Sequence, residues 1–203
     1  MQTETSSVTR HYFDWAGTAI PDTALADETV PSGNPSSRHR EGRAAKEALE
    51  NARARCAAVL GVEPSTLYFT SGGTESNCIP LYSNLLRPAG RITASLTEHP
   101  SVSENLQTLQ RLGKPIAGIP VDTSGRVSPG LLAQTLKKHG DTRFAAIMAV
   151  NNETGAINDI KALREILDNC GVPVHFHCDM AQAAGKIPVN LALCDSAAIS
   201  AHK

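Results

Sequence analysis

Residues 144–178 read FAAIMAVNNETGAINDIKALREILDNCGVPVHFHC, and this stretch decides the fold. It opens on a short apolar run, 144–150. An Asn/Gly turn follows, and then Ile160, Leu163, Ile166 and Leu167 recur at three- and four-residue spacing. That spacing puts one apolar stripe on a helix. After Gly171 and Pro173 a second apolar, β-branched run, 172–178, reads as another strand. Strand, helix and strand in this order argue for parallel strands with a crossover helix.

The same alternation extends in both directions. Runs 67–69, 91–96, 116–121 and 196–200 read as strands. Runs 101–112 and 129–139, and a run from 77 to 86, read as helices. In 41–60, Ala45, Ala48, Leu49, Ala52, Cys56, Val59 and Leu60 form an amphipathic stripe, with Gly61 as the stop. The expected class is α/β, three layers, a mainly parallel sheet flanked by helices. Residues 1–10 read as a disordered lead, 11–40 as an arm and 41–203 as one domain, since no Gly/Ser- or Pro-rich linker divides the chain.

Composition narrows the function classes. Of 203 residues, 41% are hydrophobic and 19% charged, with formal net charge −1. That balance gives no electrostatic footprint for nucleic acid or an anionic membrane. No apolar run approaches the ~20 residues of a spanning helix, and 1–10 lacks the apolar stretch of a secretory signal. The five cysteines are odd in number and widely spaced, which suits small buried side chains in a reducing cytoplasm. His175, His177 and Cys178 crowd together, but strand alternation sends the two histidines to one face and the cysteine to the other. That argues against a metal site.

Three pieces carry chemistry. Thr70-Ser-Gly-Gly-Thr-Glu-Ser-Asn77 places Gly73 and Thr74 at a strand-to-helix turn. Free N–H groups at a helix start can cradle a phosphate, although such a turn alone is also an ordinary cap. The G-K-[ST] of a P-loop and the dinucleotide G-x-G-x-x-G are missing. Asp179 follows a strand, either as a helix cap or as a ligand-facing acid. Lys203 follows the strand 196–200, either as solvated surface or as a reactive amine. An anion cradle, an acid and a lysine at the strand ends of one sheet are the parts a pyridoxal phosphate site requires.

The chain resembles the first half of a cysteine desulfurase, in the class V aminotransferase group of fold-type I pyridoxal phosphate enzymes. The resemblance rests on Tyr12-Phe-Asp-Trp-Ala-Gly-Thr18, Gly33-Asn-Pro-Ser-Ser-Arg-His39, Thr70 to Asn77, Thr97-Glu-His99, Val150-Asn-Asn-Glu-Thr-Gly155, His177-Cys-Asp-Met-Ala-Gln182 and Ser200-Ala-His-Lys203, in that order. It implies that Lys203 anchors the cofactor aldehyde and moves protons, and that Asp179 holds the pyridine nitrogen. It implies His99 against the ring, with Asn152 and Gln182 on the ring substituents. Gly73, Thr74, Ser200 and His202 would take the phosphate, and Asn34 would lie near the substrate. The implied reaction converts L-cysteine to L-alanine and leaves a persulfide, which serves iron–sulfur cluster assembly through a sulfur-acceptor scaffold protein. Members of the family are usually homodimers.

Trp15, Gly73 and Cys178 depart from residues frequent in the family. A typical member is about twice as long and carries a C-terminal small domain with the sulfur-accepting cysteine. The 203-residue chain is therefore expected to lack turnover alone. Open alternatives are another class V enzyme (a selenocysteine lyase, an epimerase or an aminotransferase) and a non-catalytic truncated product.

Overall fold

The computed structural model describes residues 11–22, 31–87 and 89–203. The expected lead, 1–10, lies outside them. Among the described residues five strands form one sheet: β1 (Arg91–Ser95), β2 (Ile116–Ile119), β3 (Thr142–Ala146), β4 (His175–Asp179) and β5 (Ser196–Ala198). Their order is β2-β1-β3-β4-β5, and every pairing is parallel. Register ties Asp179 to Ala198 and Ala94 to Ala146, so the carboxyl ends of the strands share one edge.

Five α-helices accompany the sheet: α1 (Arg40–Leu60), α2 (Gly73–Ser83), α3 (Pro100–Arg111), α4 (Pro129–Lys138) and α5 (Ile160–Asp168). Strand alternation divides the core into two layers. Leu132 and Leu136 of α4 and Leu163 and Leu167 of α5 pack with Ile119, Ala145 and Phe176. Leu81 of α2 and Val102, Leu106 and Leu109 of α3 pack with Ile92, Ala94, Phe144 and Ala146 on the opposite face. The expected three-layer α/β architecture is what the chain adopts.

Strand β1 is where the sheet changes direction. The chain passes from β1 outward to β2 and returns to β3 on the other side of β1. The segments leaving β1 and β3 therefore part, and a crevice opens between them at the carboxyl edge.

Several expectations need correction. Residues 67–69 are extended but join no ladder among the described residues. Arg53 of α1 takes the Leu67 carbonyl at 2.5 Å and lies 5.1 Å from the Phe69 ring centre, while Tyr68 is exposed. The helix expected to reach 86 ends at Ser83. Asn84 Nδ2 donates to the carbonyls of Pro80 and Leu81 and closes the last turn. The helix considered after Asp179 is a run of turns. Helix α1 stops at Gly61, with φ 66°, as expected. Its stripe is largely uncovered, however: of its members only Ala45 is buried, Ala52, Cys56 and Val59 are exposed, and the buried Ala57 lies outside it. Only Cys178 is buried among the five cysteines.

Phe144 is fully buried and stacks on the His175 ring at 5.0 Å. Phe144→Ala removes the centre of the α2/α3 layer and is expected to cost about 3–5 kcal/mol in urea unfolding.

Candidate functional site

The crevice holds a cavity of about 360 Å³. Four segments at the carboxyl edge and the start of α2 form its wall. Each places a side chain for a local reason.

Asp179 ends β4 and is 6% exposed. Its Oδ1 accepts from Ala181 N at 2.9 Å, which makes a tight turn of the residues that follow. Its Oδ2 accepts from Asn77 Nδ2 at 2.8 Å. The carboxylate is thus held from two directions and still borders the cavity.

His99 both caps a helix and lines the cavity. Its Nδ1 accepts from Ser101 N at 3.1 Å and lies 2.8 Å from Ser101 Oγ. In the stretch after β3, Asn151 rather than Asn152 builds the turn. Asn151 Oδ1 accepts from the N–H groups of Glu153 and Thr154, and its Nδ2 donates to the Thr97 carbonyl. Asn152 is left to line the cavity.

The cradle is formed by the Gly72–Gly73–Thr74 start of α2 against Ser200. A Cβ on Gly73 would stand 3.0 Å from Ser200 Oγ. Glycine lets the helix start and the serine meet; an alanine here would require the hydroxyl to shift by a few tenths of an ångström. Glu75 accepts from Ser71 N at 2.6 Å, and that bond holds its carboxyl below the usual range.

The arm closes the site from outside. The Ala16 carbonyl accepts from Lys203 Nζ at 2.8 Å and from Gln182 Nε2 at 2.9 Å. Ala19 N and Thr18 Oγ1 both donate to the His202 carbonyl, at 2.7 and 3.0 Å. Residues 16–19 thereby fix the loop that carries Ser200, His202 and Lys203.

All nine residues expected to hold a cofactor border this cavity: Gly73, Thr74, His99, Asn152, Asp179, Gln182, Ser200, His202 and Lys203. Asn34 is elsewhere. It builds the turn before α1, accepting from Ser36 N at 2.9 Å, and does not line the cavity. His175 and His177 share a face, as expected, both within 2.9 Å of Ser196 Oγ, while Cys178 packs on the other face with Met180 and Ala183. The described residues contain no metal-binding cluster.

Sequence reading assigned no role to Glu98, Asn77, Ser101 or the Ala16 carbonyl. Glu98 is buried beneath His99. Its Oε1 accepts from Ser95 Oγ and Met148 N, both at 2.8 Å, and Oε2 has no partner. Burial first, with a small contribution from Asp179, pushes its carboxyl up to about 8, against the bonds from Met148 and Ser95. The neutral acid ties the turn that presents His99 to the strand extension at Met148.

A sequence model of the family described as "Aminotransferase class-V" matches residues 11–203. The chain belongs to the class-V aminotransferase family. Among its class-V relatives, a cysteine desulfurase IscS from Dictyoglomus turgidum is 40% identical over 202 residues, covering 95% of this chain and 50% of the relative. A NifS/IcsS protein homolog from Lactobacillus delbrueckii subsp. bulgaricus is 44% identical over 157 residues, covering 76% of this chain and 40% of the relative. Of solved structures, a NifS-like protein superposes with TM-score 0.85 at 32% identity, covering 96% of this chain and 55% of the other. A second, described as SspA in complex with cysteine, gives TM-score 0.84 at 26% identity, covering 94% and 57%. The chain thus spans about half the length of the relatives it matches. Class-V aminotransferases and cysteine desulfurases depend on pyridoxal phosphate.

Glu98 makes a prediction about stability. Below about pH 4.5 both folded and unfolded states hold its proton. As pH rises toward 8 the unfolded chain releases the proton and the folded one keeps it, so stability falls through that window. The slope is at most ~1.4 kcal/mol per pH unit. Glu98→Gln keeps an acceptor for Met148 N and does not titrate. From pH 5 to pH 8 the urea midpoint of the variant should fall less than that of the wild type, or rise, because buried His177 contributes the opposite slope.

Proposed function

We propose that the cavity binds pyridoxal phosphate and that residues 41–203, with 11–40 as a closing arm, are the cofactor domain of a cysteine desulfurase. One observation carries this reading. Nine residues scattered from 73 to 203 converge on one cavity at the sheet's crevice, with a doubly held carboxylate and a lysine amine among them. The donor set suits the cofactor: N–H groups and hydroxyls for a phosphate, a carboxylate for a ring nitrogen and an amine for an aldehyde.

Bound pyridoxal phosphate supplies an electron sink that loosens the bonds at the α-carbon of an amino acid. The chain supplies the rest. Asp179 would accept a hydrogen bond from the protonated ring nitrogen, which stays protonated, with oxygens that Asn77 and Ala181 N already orient. His99, set by its cap, offers its ring as a flat wall. Gln182 and Asn152 donate to ring substituents. Gly73, Thr74, Ser200 and His202 take the phosphate. Lys203, whose amine here donates to the Ala16 carbonyl, would hold the aldehyde and carry a proton to and from the substrate carbon.

The proposed substrate is L-cysteine and the products are L-alanine and an enzyme-borne persulfide. The solved relative holding cysteine and the relatives named cysteine desulfurase support that choice over other amino acids. None of the five cysteines borders the cavity, so none is assigned the sulfur-accepting role. A homodimer, a sulfur-acceptor protein in iron–sulfur cluster assembly and a cytoplasmic location belong to this reading. No described helix is long and apolar enough to cross a membrane.

Two measurements test it. Pyridoxal phosphate should give the protein a visible absorbance band, and borohydride should trap its mass on Lys203. Lys203→Ala should show neither; a labelled lysine elsewhere would overturn the assignment. Exchange of the substrate α-proton in heavy water should fall by about 10²–10⁴-fold in Lys203→Ala.

A further inference from the structure

Asn77 lies in the second turn of α2, 1% exposed, and uses every polar atom of its amide. Nδ2 donates to Asp179 Oδ2 at 2.8 Å and to Ser101 Oγ at 2.9 Å. Oδ1 lies 2.9 Å from His177 Nε2. We propose that Asn77 is a positioning residue of this site: its amide fixes the orientation of Asp179 and, through Ser101, joins it to His99, while His177 braces the amide from within the sheet. The cofactor's part in this rests on the reading above; the network itself consists of the chain's own side chains.

Hydrogen-bond polarity leaves one arrangement. His99 Nδ1 accepts from Ser101 N, so it carries no proton, and the Ser101 hydroxyl donates to it. Ser101 Oγ then has only lone pairs left for Asn77. Asp179 Oδ2 likewise accepts. Both neighbours on the cavity side demand the amino end of the amide, and a flipped amide would set its oxygen against a carboxylate oxygen. Oδ1 must therefore face His177, which must carry its proton on Nε2. His177 Nδ1 in turn accepts from Ser196 Oγ, 2.9 Å away. Burial, then the neighbouring His175, lowers His177 to about 4, so the ring is neutral at ordinary pH, as this arrangement needs.

Position follows from polarity. Asp179 is held by one backbone N–H from the turn after it and one amide from a helix on the sheet's other side of the crevice. Without Asn77 the carboxylate keeps a single donor, and rotation about its last torsion carries Oδ2 away from a ring nitrogen.

The test uses Asn77→Ala and, of similar shape in case the alanine variant does not fold, Asn77→Leu. In the protein without added cofactor, ¹⁵N NMR of His177 should show the neutral Nε2–H form in the wild type. Asn77→Ala should give a mixture of tautomers. Asn77→Leu, which offers Nε2 no acceptor, should do the same. With ¹⁵N-labelled pyridoxal phosphate, the ring nitrogen should be protonated in the wild type and shift toward the unprotonated resonance in either variant. Cofactor affinity should fall about tenfold, the equivalent of one hydrogen bond to a charged group. An unchanged His177 tautomer in a folded variant overturns the network. A changed tautomer with an unchanged ring-nitrogen resonance overturns the positioning role. Failure of the wild type to bind the cofactor overturns the reading of the site, and the His177 signal then decides the hydrogen-bond network alone.

Discussion

Parallel pairing is the constraint on which the rest of this structure depends. Because all five strands run one way, whatever follows each strand emerges at the same edge. Residues after 95, 146, 179 and 198 become neighbours without any contact between them in sequence. The reversal of strand order at β1 adds the second condition. It separates the segments after β1 and β3, so the shared edge has an opening rather than a closed seam. The helix that starts at Gly73 supplies the wall across that opening, and an aliphatic layer packs each face of the sheet.

The site's polarity has a cost that the aliphatic layers must cover. Glu98, His177, Asn77 and Asp179 are all nearly inaccessible, and each is an expensive side chain to bury. Three of them share their hydrogen bonds in one network. Glu98 does not join it. One of its oxygens serves two donors and the other serves none. A neutral acid tolerates that position better than a carboxylate, which is why its proton is retained. Among the described buried side chains, Glu98 Oε2 is the polar atom left without a partner.

Much of this was legible in the sequence, and the omissions have physical causes. The 3.6 period of 160–167 and the Gly61 stop are local signals, and the structure follows both. The aromatic run at 67–69 carries the same local signal for a strand, but a ladder needs a neighbour, and Arg53 of α1 takes its carbonyl instead. Pro80 and Asn84 ended α2 by a side-chain cap that periodicity does not register. In the site, the ordered motifs pointed to residues that now share a cavity. Asn77 stood inside a quoted motif with no role attached. Its importance comes from partners 24, 100 and 102 positions away, which no local pattern encodes. The Ala16 carbonyl was invisible for a further reason: a backbone atom leaves no mark in residue identity.

That carbonyl has a kinetic consequence. Lys203 and Gln182 both donate to it, so the amine is already hydrogen-bonded before any reaction. Any electrophile reaching for the amine competes with a group already in place, and on winning it leaves the carbonyl with Gln182 alone. The arm then loses one of its ties to the loop at 200–203. Trp15, the chain's single tryptophan, precedes that carbonyl by one residue and is half exposed. In the proposed function, its indole would report optically on the arm's tie to Lys203.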